Sequence, residues 1–262
     1  MNVIKLYGGL GNQLFQYALG KAQDANGIDV CFETTWFLKE ENKYRPYTLD
    51  KFKTTVPIGS FKKQPTLNEI SLKYMDDLLF TRIDNHNFFG YWQHPRYFTA
   101  VLPQLKKEFV VREEFYTEEY LTLKKKILSE NSIALHVRRG DYVQINGHHL
   151  LPLEYYTKAL ELVTGDVYVF SDDIPWCKEH FEDVIFVDIE EYLSFELMRL
   201  CKSHIIANST FSWWAAYLSG DNNVIAPVQW RKDKYGQSFV SKDILSPAGW
   251  QLISLETDWN GK

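Results

Sequence analysis

The chain has 262 residues, 45% of them hydrophobic and 16% aromatic, enough to bury one large core or two modest ones. With 29 basic against 34 acidic residues and a net charge of -5, it has no global positive field to hold a nucleic acid, so any anionic ligand must be caught by a local cluster. No apolar stretch approaches the about 20 residues that a membrane span needs. Cys31, Cys177 and Cys201 are too few and too scattered for a disulfide ladder or a CxxC pair, which predicts a reducing, cytoplasmic setting.

The first residues enter a strand at once and leave no room for a signal peptide. Val3 to Leu6 reads as that strand, Gly8-Gly9-Leu10-Gly11 as a tight loop, and Asn12 to Asp24 as a helix with Leu14, Phe15, Ala18, Leu19 and Ala22 on its apolar face. From about 30 to 70, aromatic residues lie among lysines with Pro57 and Pro65 as breakers, and the expectation is irregular structure. Asn87 to Gln93 reads as a strand, followed by helical stretches at about 95 to 109 and 114 to 129.

Beyond Asn131 the pattern alternates. Strands are expected at Ile133 to Val137, Val167 to Phe170, Val184 to Val187, Ile205 to Ala207 and Val224 to Ala226. Helices are expected between them at about 152 to 164, 174 to 182, 192 to 203 and 210 to 219. This predicts an α/β protein whose second half is a doubly wound parallel sheet, with an αβ unit at 1–128 and another at 129–262 facing each other across a cleft.

Four stretches bear on chemistry. Gly9 and Gly11 let backbone come close to a ligand, but taken alone the loop is better accounted for by a plain strand-to-helix turn with Asn12 as N-cap. The run Ser132 to Asp141 is apolar and ends in His136, Arg138, Arg139 and Asp141; alternation puts His136 and Arg138 on one face. A salt-bridged strand end, with Arg139 or Arg138 pairing with Asp141, is the bland account; the favoured one is that two arginines beside one carboxylate leave a charge seeking an anion, and the planar guanidinium suits phosphate. Asp172 and Asp173 follow another strand; Asp172 suits a base or ribose and Asp173 a helix cap. A metal is disfavoured because neither a third carboxylate nor DxD spacing accompanies them. Asn208, Ser209, Thr210, Phe211 and Ser212 open a helix with more hydroxyls than capping needs, at an end suited to phosphate. Trp213 and Trp214 read as core, Lys124 to Lys126 as a solvated face with membrane attraction the minor alternative, and His148-His149 lacks a third metal ligand.

Gly8-Gly9-Leu10-Gly11-Asn12-Gln13, His136-Val137-Arg138-Arg139-Gly140-Asp141-Tyr142 and Asn208 to Ala216, in this order, resemble the α-1,2-fucosyltransferases of glycosyltransferase family 11. The resemblance implies a GT-B-like pair of Rossmann-type domains, an acceptor side at 1–128 and a donor side at 129–262. It further implies inverting transfer of L-fucose from GDP-β-L-fucose to the 2-hydroxyl of a galactoside, with no metal and no cofactor beyond that donor substrate. By the same resemblance Arg138 grips the pyrophosphate, His136 and Asp172 face guanosine, and Asn12, with Gly9 and Gly11, lies near the sugar and pyrophosphate. Ser209, Thr210, Phe211 and Ser212 form the helix start beside the phosphates. Related α-1,6 enzymes place a glutamate shortly after the arginine motif, whereas Gln144 to Gly147 has none, so the base is assigned to Asp141 with His148 behind it. The acceptor is a galactose-terminated oligosaccharide or a lipid-linked glycan, the latter implying peripheral contact with the inner membrane face. Two alternatives stand beside this: a GT-B enzyme using another nucleotide sugar, and a non-catalytic carbohydrate-binding protein.

Overall fold

A computed structural model describes residues 1–55, 57–69, 83–143, 150–220, 223–228, 230–232, 238–239 and 249–254. His148, His149 and the Gln144 to Gly147 stretch lie outside the described residues. The chain forms two compact units, Met1–Phe115 and Tyr116–Lys262.

The first unit is built on a parallel sheet of β1 (Asn2–Lys5), β2 (Val30–Glu33), β3 (Ile58–Gly59), β4 (Thr66–Asn68) and β5 (Asn87–Phe89), in the order β3-β2-β1-β5-β4. Helix α1 (Leu10–Ala25) is buried along most of its length. Its Gly20 admits the Phe32 ring so closely that an added Cβ would lie 2.6 Å from Cζ. The stretch from 30 to 70, expected to be irregular, therefore contributes three strands. β2 is buried on both faces and shows no alternation to read. The prolines act as strand entries: Phe32 N donates to Pro57 O at 2.9 Å and Asn87 N to Pro65 O at 2.8 Å, because proline lacks the donor but keeps the acceptor. Between β2 and β3 the chain is irregular as expected, with 3-10 turns at Thr35–Leu38, Glu40–Asn42 and Leu49–Lys51. The helix expected at 95 to 109 is broken into two 3-10 turns, Pro95–Tyr97 and Thr99–Val101, before α2 (Leu102–Glu108).

The second unit starts with α3 (Glu118–Ser129), so the expected boundary after residue 128 moves to the residue pair 115/116. The reason is a buried carboxylate on a later helix: Glu196, 2% exposed, accepts from Tyr120 Oη at 3.0 Å and Tyr116 Oη at 3.2 Å. Those bonds fasten α3 to α6 (Glu191–Leu200), a pairing that local sequence cannot announce. The sheet joins β6 (Ser132–Val137), β7 (Asp166–Ser171), β8 (Ile185–Val187), β9 (Ser203–Ile205) and β10 (Val224–Pro227). A short antiparallel pair, β11 (Arg231–Lys232) and β12 (Ser238–Phe239), stands apart, and β13 (Gln251–Ile253) adds an edge strand that sequence reading missed. The order β13-β10-β9-β6-β7-β8 is parallel throughout and doubly wound, reversing direction between β6 and β9. Helices α4 (Leu153–Leu160), α5 (Ile174–His180) and α7 (Thr210–Ser219) fall where the periodicity predicts them. Trp213 and Trp214 are fully buried core residues, each of which would cost about 3–5 kcal/mol to truncate.

Candidate functional site

In open α/β sheets ligands bind beyond the carboxyl ends of the strands, where strand order reverses. In the second unit that point lies beyond β6 and β9. β6 is buried along its whole length and ends at Val137, in register with Ser171 of β7, so Arg138 and Arg139 emerge beside Asp172 and Asp173.

Here the structure corrects the charge expected at this strand end. Three carboxylates, not one, meet the two arginines. Arg138 Nη2 lies 2.5 Å from Asp141 Oδ1 and its Nη1 2.8 Å from Asp172 Oδ2. Arg139 Nε lies 3.0 Å from Asp173 Oδ2, its backbone N donates to Asp172 Oδ1 at 2.9 Å, and its guanidinium stands 4.1 Å from the Trp176 ring centroid. Burial works against the charge on Arg138, but Asp172 and then Asp141 outweigh it and hold its pKa above the ordinary value. The cluster thus carries two positive against three negative charges, and Arg138 is an oriented, permanently charged fork rather than a cation in search of an anion. Two carboxylates occupy two of the five N–H donors of a guanidinium. Gly140 is required by this packing, since any Cβ there would run into the Asp172 carboxylate.

The exit of β6 is tied to the exit of β9. Tyr142 Oη donates to Asn208 O at 3.0 Å, and the His136 ring lies against Phe211, centroids 5.5 Å apart. His136 is 5% exposed; burial first, then the charge of Arg138, push its pKa down to about 3, so the ring is neutral, and its Nδ1 has no hydrogen-bond partner among the described residues. Helix α7 begins beside it. Ser209 is the N-cap, accepting from Phe211 N at 3.4 Å, and Thr210 stands half-buried at the first helical position. The hydroxyl surplus expected here is smaller than the sequence suggests. Ser212, fully buried, turns its Oγ back on Ala207 O and Ser209 O, both at 3.3 Å, and Asn208 Nδ2 donates to Trp230 O at 3.0 Å. Asp173 caps α5 as expected, accepting from Trp176 N at 3.2 Å.

The first unit places Gly9, Gly11 and Asn12 at the start of α1. Gly9, not Asn12, is the N-cap, and it caps without a side chain. Asn12 sits inside the first turn, where its Oδ1 accepts from Gln93 Nε2 at 2.8 Å. Gly11 is buried in the same turn. Gly8 has a φ of +80°, which favours glycine, and a Cβ on Gly9 would come within 2.7 Å of Arg45 Nη1, so a side chain there would displace the arginine terminus. Gln13, fully buried, donates to Gly8 O and Pro46 O, both at 3.0 Å, and accepts from Thr48 N at 3.0 Å, which holds Arg45 over the loop. Sequence reasoning quoted Gln13 and Tyr142 within their motifs without giving either a role, and it gave none to Gln93 or Arg45. The signal available was the clustering of amide side chains one helical turn apart at Asn12, Gln13 and Gln16.

Comparison with known proteins accords with this architecture. The family model described as Glycosyl transferase family 11 matches residues 1–253. An α-1,2-colitosyltransferase of Escherichia coli is 31% identical over 281 aligned positions, covering 90% of this chain and 94% of that one. Galactoside α-(1,2)-fucosyltransferase 2 of Rattus norvegicus is 26% identical, covering 86% and 68%. In fold, the chain is similar to the crystal structure of fucosyltransferase NodZ from Bradyrhizobium, with a TM-score of 0.54, 16% identity and coverage of 83% and 92%. The α/β fold with two parallel sheets is GT-B-like, as the family resemblance implies. From its first residue almost to its last, this chain belongs to glycosyl transferase family 11.

Proposed function

We propose that the protein is an inverting α-1,2-fucosyltransferase that moves L-fucose from GDP-β-L-fucose to the 2-hydroxyl of a galactoside during synthesis of a surface polysaccharide or oligosaccharide. The observation that carries this reading is the junction at the reversal of the second sheet. There Tyr142–Asn208 and His136–Phe211 join the Arg138 fork to the start of α7. Family membership and the α-1,2 linkage named for both relatives support it.

As the bond from the anomeric carbon to the β-phosphate oxygen breaks, negative charge grows on the departing diphosphate and the sugar becomes oxocarbenium-like. Donors already aimed at that charge lower the barrier without reorganising. Arg138 suits this role because Asp141 and Asp172 fix its plane, and it acts through directional N–H groups rather than net charge. The first-turn N–H groups of α7, with Ser209 and Thr210, supply the second set. His136, neutral and buried, would offer Nδ1 to the guanosine moiety. The acceptor hydroxyl attacks the opposite face and inverts the centre, and its proton passes late to Asp141. A resident metal has no part in this scheme; both Asp172 and Asp173 are already engaged by arginines.

The donor has one serious rival, because the 31% identical relative is a colitosyltransferase and colitose is fucose without its 3-hydroxyl. Purified protein incubated with GDP-fucose or GDP-colitose and a panel of galactosides, with the product linkage read by NMR, tests the proposal. An α-1,2-fucosyl product formed in the presence of EDTA is expected. Exclusive use of GDP-colitose, or tighter binding of UDP than GDP in calorimetry, would overturn it. We place the reaction in the cytoplasm, with peripheral membrane contact where the acceptor is lipid-linked. No helix among the described residues is long and apolar enough to cross a membrane.

A further inference from the structure

The sheet of the first unit also reverses its order, between β1 and β5. What stands beyond that point differs in kind from the second unit. Tyr7 follows β1, Phe89 ends β5, Tyr91 follows it, and Trp36 comes after the neighbouring β2. Their rings meet: Tyr7 lies 5.1 Å from Phe89 at an interplanar angle of 24°, 4.7 Å from Tyr91 at 34°, and 6.3 Å from Trp36 at 56°. Unlike Tyr17, Phe32 and Phe88, which are buried in the core of the same unit, these rings are half-buried, and Phe89 is 40% exposed. Four aromatic rings left partly open at the ligand-binding edge of a parallel sheet are not filling a core.

The backbone that presents them is fixed more firmly than a surface loop requires. Gln16, fully buried, accepts from Tyr7 N at 3.0 Å and donates to Gly90 O at 3.2 Å, clamping the two strand exits together. Glu69 Oε2 accepts from Tyr91 N at 2.7 Å and Trp92 N at 3.2 Å. Trp92, buried, is held at a φ of 56°, a left-handed conformation that a bulky residue adopts only under constraint. The same two exits carry the Asn12–Gln93 amide pair.

We propose that Tyr7, Trp36, Phe89 and Tyr91 form a saccharide-stacking subsite for a galactoside, with the Asn12–Gln93 amides as its polar flank. The axial 4-hydroxyl of galactose leaves one ring face with a continuous C–H patch, which packs on an aromatic surface, while amides suit the hydroxyls around it. A phosphate or nucleotide would call for an uncompensated cation; Lys5, whose Nζ stands 5.6 Å over the Phe89 ring, is paired with Glu33 Oε2 at 3.6 Å, and the rings themselves offer apolar area. The inference rests on the proposed transferase reading for its ligand, but its test can be read without turnover.

The test uses the full chain. Phe89→Ala and Trp36→Ala are expected to raise the KM for the galactoside about tenfold while leaving the KM for the donor and the Kd for GDP unchanged. Phe89→Leu, which keeps apolar bulk but removes the ring, should show the same loss and guards against misfolding of the alanine variants. Independently of activity, methyl β-D-galactoside should quench tryptophan fluorescence in the wild type and not in Trp36→Phe. If all folded variants bind methyl β-D-galactoside as the wild type does, or if only the donor KM rises, the subsite is refuted even where fucosyl transfer proceeds. If no transfer occurs with any donor but the galactoside still quenches Trp36, the subsite stands and the transferase reading falls.

Discussion

Replacing Arg138 by alanine separates a catalytic guanidinium from a structural strut. Arg138 is one-fifth exposed and its two carboxylate partners are 28% exposed, so its ion pairs lie between a surface pair, worth about 0–1 kcal/mol, and a buried one, whose breaking costs about 3–5 kcal/mol. A loss of about 2 kcal/mol follows, because Asp141 and Asp172 are left side by side without their counter-ion. For a unit of this size that lowers the melting midpoint by roughly 4–8 °C, and the protein stays folded at about 25 °C. The effect on rate should be larger. One electrostatic contact to a departing charge is worth about 2.7–4 kcal/mol, so kcat with GDP-fucose should fall about a hundredfold to a thousandfold. Arg138→Lys keeps the charge but cannot fork between two carboxylates and a phosphate, so it should recover stability without recovering rate. The assay is GDP release coupled to product formation, with thermal melting run alongside. Near-normal turnover in a folded Arg138→Ala protein would refute the role assigned to the guanidinium. Full rescue by lysine would show that charge, not the fork's geometry, matters.

Acid sensitivity follows from two buried histidines. Burial and Arg138 push His136 down to about 3, and burial pushes His204 down to about 4, while an unfolded histidine titrates near 6.5. Below about pH 6.5 the unfolded chain takes up protons that the folded one refuses, so stability is lost as pH falls from about 6.5 towards 4. The two together should cost about 4 kcal/mol by about pH 5. Urea midpoints measured from about pH 7 to 5 should show this slope, and His204→Gln should roughly halve it; an unchanged slope would contradict the assignment. Gly140→Ala should push the Asp172 carboxylate aside and cut kcat/KM about tenfold or more, with a shift in melting midpoint of a few degrees at most. Gln13→Leu should remove three hydrogen bonds, two of them buried and one part-buried, and destabilise the first unit by about 2–3 kcal/mol, read by scanning calorimetry.

The second unit was legible because its helices have a clear period and its strands are continuous apolar runs. Burial on both sheet faces demands such runs, as Ile133, Leu135 and Val137 show on β6. The resemblance of three motifs, taken in order, pointed to the family, and the run of charge after an apolar strand pointed to the strand end at Arg138. β2, β3, β4 and β13 were not legible: β3 has only two residues, and β2, β4 and β13 are short strands outside any regular strand-helix alternation of the kind that revealed equally short β8 and β9. The placement of α3 hung on Glu196, 76 residues from Tyr120. Tertiary structure alone decided the electrostatic state of the site. Asp172 is far from Arg138 in sequence, and only the parallel register of β6 with β7 brings it to the guanidinium, turning an apparent surplus of positive charge into a paired and oriented fork. Sequence determines which chemical groups each strand delivers to its end; which of them meet, and what charge remains, depends on strand order, because Coulomb interactions act through space and not along the chain.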